Sequence, residues 1–244
     1  MFAWGKSDIG RVRKENQDSY AFDVSDVKTP AYAVVCDGMG GAAAGNVASR
    51  LAVDTFIECV KSAEYKSMSN EKLEETLISA ARSANQVVHD TAKDDNKLHG
   101  MGTTLVAVLA ERENVAVINI GDSRAYKISQ DGISRITRDH SLVEDMVRMG
   151  ELTEEQAQEH PGKNLITRAV GTDSTVSGDT YFPHIEPNDY ILLCSDGLSN
   201  LVTEQEILFE VLYGGENCEC CNRLVDIANE RGGYDNITVV LLSF

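Results

Sequence analysis

The chain has 244 residues, with 42% apolar side chains, 25% charged side chains and 4 prolines, and 22 basic against 39 acidic residues leave it a net charge of −17. That composition excludes collagen-like and disordered classes, and the charge opposes any broad, sequence-independent grip on nucleic acid or an anionic membrane. At this length folding buries roughly 70–75% of the unfolded surface, so the six cysteines are not needed as a disulfide framework. Without paired C-x-x-C spacing or a secretory leader, they read as the reduced thiols of a cytoplasmic protein. The longest apolar runs, such as 105–110, fall far short of the ~18 residues of a membrane span.

In chain order, the compact apolar run 31–36 (AYAVVC) stops at Asp37-Gly38, the pattern of a strand feeding a tight turn. Ala48, Leu51, Ala52, Phe56 and Cys59 then recur at helical spacing. Leu73, Leu77, Ala81, Ala84 and Val88 repeat it, with Glu71, Glu74 and Glu75 in the first turns where they suit the helix dipole. From Thr103 the period becomes that of strands. TTLVAVLA, NVAVINI, RAYKIS and ISRIT, joined by turns that include Gln130-Asp131-Gly132, predict an antiparallel meander. Residues 139–168 break the pattern with two short polar helical stretches, Gly150 and His160-Pro161-Gly162, and read as a mobile, surface-borne excursion. Strands are expected at 176–182, 190–194 and 237–242, and helices at 203–212 and 216–231. No linker divides the chain, so a single domain over 1–244 is expected.

Apolar strands repeatedly run into an aspartate: Asp37 after AVVC, Asp122 after VINI-Gly, Asp196 after ILLC-Ser, and Asp235 just before ITVVLL. One such residue is an ordinary turn carboxylate bonding nearby N–H groups. Four gathered at adjoining strand ends would repel one another and lose solvation, a penalty that a multivalent cation offsets. Hard oxygen donors without His or Cys favour Mg²⁺ or Mn²⁺ over Zn²⁺. A rival reading occupies the same stretch, because Gly38-Met39-Gly40-Gly41-Ala42-Ala43 fits the dinucleotide fingerprint. Against it, Asp37 would face the pyrophosphate, and the second strand with an acidic end is replaced by helix.

Taken together, SDIGRVRKENQD (7–18), VVCDGMGG (34–41), GTT (102–104), IGDSRAY (120–126), CSDGL (194–198) and DNIT (235–238) resemble, in order and approximate spacing, the metal-dependent Ser/Thr phosphatases of the protein phosphatase 2C family. The match spans nearly the whole chain, and Met39 within the Asp-Gly motif is similar to the compact bacterial branch. The resemblance implies an α+β fold: a four-layer α-β-β-α sandwich, two central antiparallel sheets flanked by antiparallel helices. It also implies two Mn²⁺ or Mg²⁺ ions bridged by Asp37 and a water. The Gly38 carbonyl would serve one ion, and Asp196 and Asp235 the other. Asp18 matches the position that orients water, Arg13 the phosphate-gripping arginine, and Asp122 with Asp196 the site of a possible third, weaker ion. Gln17 stands where many relatives have Glu, which puts one water-mediated contact in question.

The implied activity is hydrolysis of phosphoserine and phosphothreonine on proteins, a water or hydroxide shared by the ions attacking phosphorus in line. The implied role is signalling, with targets of a Ser/Thr protein kinase as substrates for a monomer. Alternatives are a non-catalytic ligand- or partner-sensing module on the same fold, which would be expected to lose Asp37, Asp196 and Asp235, and a phosphatase of small metabolites. Cys36 and Cys194 lack the anion-cradling loop that a cysteine phosphatase requires and read as buried strand residues. Cys218, Cys220 and Cys221 crowd one helical turn where three thiols cannot face one ion. His140 and His160 are the candidates for a general acid. Arg11, Arg13 and Lys14 form a local basic cluster in an acidic chain, suited to attract phosphate.

Overall fold

The computed structural model describes residues 1–24, 30–41, 44–63 and 69–244. Two antiparallel sheets face each other. One is ordered β1 (Phe2–Asp8), β11 (Ile237–Ser243), β10 (Tyr190–Cys194), β7 (Arg124–Ser129), β8 (Gly132–Arg135). The other runs β2 (Asp18–Asp23), β3 (Ala31–Met39), β5 (Leu105–Glu111), β6 (Asn114–Ile120), β9 (Asp179–Tyr181), with β4 (Gly102–Thr103) paired to the end of β3. Helices α1 (Ala44–Ser62) and α2 (Asn70–Asp94) cover the outer face of the second sheet, and α5 (Asp196–Ser199), α6 (Glu204–Leu212) and α7 (Asn217–Glu230) the outer face of the first.

The period-2 alternation of a strand explains this layering. In β3, Ala33 and Val35 point between the sheets, whereas Tyr32, Val34 and Cys36 point at the helices. In β10 and β11, Ile191, Leu193, Val240 and Leu242 meet them from across the gap, and Leu192, Cys194, Val239 and Leu241 face α5–α7. Both faces of these strands are buried, so their sequences are apolar at every position rather than alternately. Each fully buried Val, Leu or Ile side chain contributes roughly 1.5–3 kcal/mol of transfer free energy. Ala48, Ala52, Phe56 and Val60 on α1 and Leu73, Leu77, Ala84 and Val88 on α2 supply the matching helix stripes.

Four expectations need correction. β1 and β2 were not anticipated, because FAWGKSD and DSYAFD mix Gly, charged and apolar residues and are only half-buried. The meander is split: β5 pairs with β6 and β7 with β8, but β6 and β7 belong to different sheets. The chain crosses between layers at Gly121-Asp122-Ser123. Gly121 has φ +109°, and a Cβ there would lie 2.6 Å from Thr104 Cγ2, so this crossing requires glycine. The strand expected at 176–182 contracts to Asp179–Tyr181, and α5 adds an unexpected helical turn at Asp196.

The 139–168 excursion carries α3 (Leu142–Arg148) and α4 (Glu154–Glu159). Its ends are tied together by Leu142 N–H to Leu165 C=O at 2.9 Å and Thr167 N–H to His140 C=O at 2.8 Å. The antiparallel sheets remove the parallel βαβ unit that a dinucleotide fingerprint needs. Of that motif, Ala42 and Ala43 lie outside the described residues. Gly38 serves close packing instead, since a Cβ there would lie 2.0 Å from the Gly45 carbonyl oxygen at the start of α1.

Candidate active site

Antiparallel pairing brings strand starts and strand ends to one edge of the sandwich. Asp18 opens β2 directly opposite Asp37 near the end of β3. Asp122 follows β6, Asp196 follows β10, and Asp235 precedes β11, whose first residues lie beside the end of β10. The aspartates the sequence singled out are therefore brought together, close enough to act on one another's ionisation.

Burial, reinforced by the charges of Asp18 and Asp196, holds the Asp37 carboxyl well above the ordinary carboxylate range. Burial also pushes Asp18 up to about 7, against hydrogen bonds from Thr238 and Ser195 that favour its ionised form. Asp122 is likewise raised to about 7 by burial and by the charges of Asp196 and Asp139, and Asp196 is raised by burial and by Asp235. Such mutual elevation marks negative charge concentrated beyond what the protein itself neutralises.

The backbone around each carboxylate is held by groups the sequence reading did not single out. Thr103 Oγ1 and the Thr104 N–H both donate to the Asp37 carbonyl, at 2.8 and 2.9 Å. Thr104 Oγ1 accepts the Asp37 N–H at 2.9 Å and bonds Ser123 Oγ at 2.7 Å, joining the Asp37 strand to the Asp122 turn. Asn236 clamps the 9–17 loop: its Nδ2 donates to the carbonyls of Ile9 and Glu15, and its Oδ1 accepts from Gln17 N–H. Arg13 rides on that loop and reaches Asp235 Oδ2 at 2.7 Å. Gln17 Nε2 donates to the Gly41 carbonyl at 2.8 Å, an amide role that a carboxylate cannot fill. Of these, Thr103, Thr104 and Asn236 sit inside the GTT and DNIT motifs without having been singled out, and their signal is a buried hydroxyl or amide in an otherwise apolar segment.

Asp18 Oδ1 and Asp196 Oδ1 are buried and receive no hydrogen bond. Unsatisfied anionic oxygens are costly to bury, and an all-oxygen donor set of this kind fits hard divalent cations. Among the described residues no three His, Cys, Asp or Glu side chains stand in a closed ligating cluster. Asp122 and Asp196 also border a groove of about 1490 Å³ that continues along Arg138, Glu144 and Lys163 beneath the excursion.

The histidine candidates are both held by other groups. His140 is buried; its Nδ1 accepts the Gly121 N–H at 3.2 Å, which puts its proton on Nε2 facing Asp179 Oδ2 at 3.2 Å. Both ring nitrogens are thus engaged in anchoring the excursion, which removes His140 as a free acid. His160 Nδ1 accepts a local bond from Gly162 N–H. Burial pushes the Cys36 thiol far up and Cys194 up to about 12, so neither supplies a thiolate near neutrality. Cys220 and Cys221 are core residues and Cys218 is exposed.

The sequence profile described as "Protein phosphatase 2C" matches residues 5–223. The serine/threonine phosphatase Stp of Listeria innocua is 38% identical over 243 residues, covering 99% of this chain and 95% of that protein. The crystal structure of serine/threonine phosphatase Stp1 from Staphylococcus aureus superposes with a TM-score of 0.92 at 33% identity, covering 99% and 94% of the two chains. The catalytic domain of the serine/threonine protein phosphatase PstP, solved in complex with 2 manganese ions, gives 0.85 at 33% identity, covering 98% and 96%.

Proposed function

The chain belongs to the protein phosphatase 2C family and is a metal-dependent serine/threonine protein phosphatase, and we propose that it works with two Mn²⁺ or Mg²⁺ ions held by Asp37, the Gly38 carbonyl, Asp196 and Asp235. The observation that carries this reading is the meeting of these aspartates from strands of both sheets at one end of the sandwich, where their charges act on one another, with Oδ1 of Asp196 and of the neighbouring Asp18 buried and without donors. Bound there, divalent cations supply the Lewis acidity that ionises water near neutral pH and neutralises phosphoryl oxygens.

The protein's own groups do the rest. Thr103 and Thr104 fix the Asp37 backbone, so its carboxylate faces the site from a rigid strand end. Asp18 turns its unpartnered oxygen toward the cation site, where it would hold an ion directly or through the water that ion carries. The Arg13 guanidinium is 53% exposed and free to leave Asp235 for a substrate phosphate, which it grips as a charge-assisted fork. Asp122, beside Asp196 on the groove wall, takes a third and weaker ion. With both histidines engaged elsewhere, no side-chain acid is assigned to the leaving oxygen.

The groove beneath 139–168 receives the peptide around the phosphoresidue, so this excursion sets substrate choice. We read the chain as one domain and a monomer that opposes a Ser/Thr protein kinase in the cytoplasm. No helix among the described residues is long and apolar enough to cross a membrane. The test is hydrolysis of an aryl phosphate and a phosphothreonine peptide with and without Mn²⁺ and chelator. Asp37→Ala and Asp196→Ala are expected to lose nearly all turnover while still folding. Wild-type kcat in either variant at the same Mn²⁺ level would remove the assignment.

A further inference from the structure

Ser7, Thr238 and Ser195 stand side by side across β1, β11 and the end of β10: Ser7 is the register partner of Thr238, and Ser195 N–H bonds the Thr238 carbonyl at 3.1 Å. Thr238 shares the inward parity of Val240 and Leu242, so this row closes the inter-sheet core just where the site begins. Thr238 and Ser195 are fully buried, and Asp18 lies on the opposite sheet. A buried hydroxyl without a partner is costly.

With Asp18 ionised, the protons run in one direction only. Thr238 Oγ1 donates its single proton to Asp18 Oδ2 at 2.7 Å, so its contact of 2.8 Å with Ser7 Oγ is one it accepts. Ser7 Oγ in turn accepts from Asn16 Nδ2 at 2.8 Å. Ser195 Oγ accepts the Thr238 N–H at 3.0 Å and donates to the same Asp18 Oδ2 at 2.8 Å. Two hydroxyls therefore converge on one carboxylate oxygen and none reaches the other, Oδ1. The Asp18 N–H is held as well, by Asn16 Oδ1 at 3.1 Å.

We propose that Thr238 and Ser195 are positioning residues that grip Asp18 from the opposite sheet and reserve its Oδ1 for the divalent-cation site. The inference rests on reading the carboxylate cluster as that site. A row that only stitched the two sheets would need donors and acceptors in balance, but it would not need both donors on the same oxygen.

The test is Mn²⁺ binding by calorimetry on Asp18→Asn, Thr238→Val, Thr238→Ser and Ser195→Ala, with denaturant melts to confirm folding. Asp18→Asn and Thr238→Val should each weaken Mn²⁺ binding by about 10- to 100-fold, the range for partners of ligating groups. Thr238→Ser, which keeps the hydroxyl, should stay near the parent. The double variant Asp18→Asn/Thr238→Val should bind no worse than Asp18→Asn alone. If Asp18→Asn weakens Mn²⁺ binding and Thr238→Val lowers only the melting temperature, the positioning role is overturned and the cation reading stands. If Asp18→Asn leaves binding unchanged, Asp18 does not serve a cation and the positioning role falls with it. Should Thr238→Val fail to fold, Ser195→Ala is judged by the same criteria.

Discussion

Neutralising Asp122 should stabilise the metal-free protein, and by an amount that depends on pH. Burial and the neighbouring charges of Asp196 and Asp139 raise this carboxyl from its ordinary 3.8 to about 7. A carboxyl raised in the folded state favours folding fully below the unfolded pKa, and that contribution is lost as pH rises through the folded pKa. Between about pH 4 and 7 the unfolded chain has released this proton and the folded chain has not. Each pH unit then costs about 1.36 kcal/mol. Over the roughly three units between the two pKa values the loss reaches about 4 kcal/mol, an upper figure because solvent at the groove screens the charges. Asp122→Asn should therefore match the parent near pH 4 and exceed it by up to about 4 kcal/mol at pH 8. In a chain of this size that is roughly 8–16 °C in Tm. Urea and thermal melts in chelator at both pH values measure the difference. A variant less stable by about 0.5–2 kcal/mol at both pH values would mean that Asp122 caps its turn, and the repulsion argument would fail.

Arg13→Ala should lower kcat/KM on a phosphothreonine peptide by the equivalent of about 1.5–3 kcal/mol, the range for a hydrogen bond to a charged group; an unchanged value rejects the phosphate grip. Trimming 150–161 should change rates on phosphopeptides much more than on an aryl phosphate, since the groove beneath the excursion touches the peptide and not the ester; parallel changes on both would make the segment a support of the core. Burial, aided by the charge of Arg168 and opposed by Asp179, lowers the His140 pKa. Its contribution is therefore full above the unfolded value of about 6.5 and lost as pH falls toward the folded pKa. Amide protection factors at Gly121 and Thr167, corrected for the intrinsic pH dependence of exchange, should fall from pH 7.5 to 5.5, and His140→Gln should flatten that dependence; an equal fall in the variant would exclude His140 as the anchor.

Strand and helix type could be read locally wherever one period dominated. The apolar runs of β3, β5, β6, β10 and β11 and the stripes of α1 and α2 fall where the pattern put them, because burial on both faces or along one stripe leaves little freedom in residue type. The aspartates were visible for a similar reason: a carboxylate that abruptly ends an apolar strand is conspicuous in one dimension. What the linear pattern could not decide was which strands share a sheet. β6 and β7 are neighbours in sequence with similar composition, yet a left-handed Gly121 sends them to opposite layers, and only packing against Thr104 distinguishes that crossing from a hairpin. Nor could spacing show that Thr238 and Ser195, far along the chain from Asp18, donate to its carboxylate. A hydroxyl has no sequence signature beyond its own polarity, and its partner is chosen by the register of three strands and the gap between two sheets. Local chemistry was therefore written in the sequence, whereas the convergence of charge and the direction of each buried proton were decided by tertiary packing.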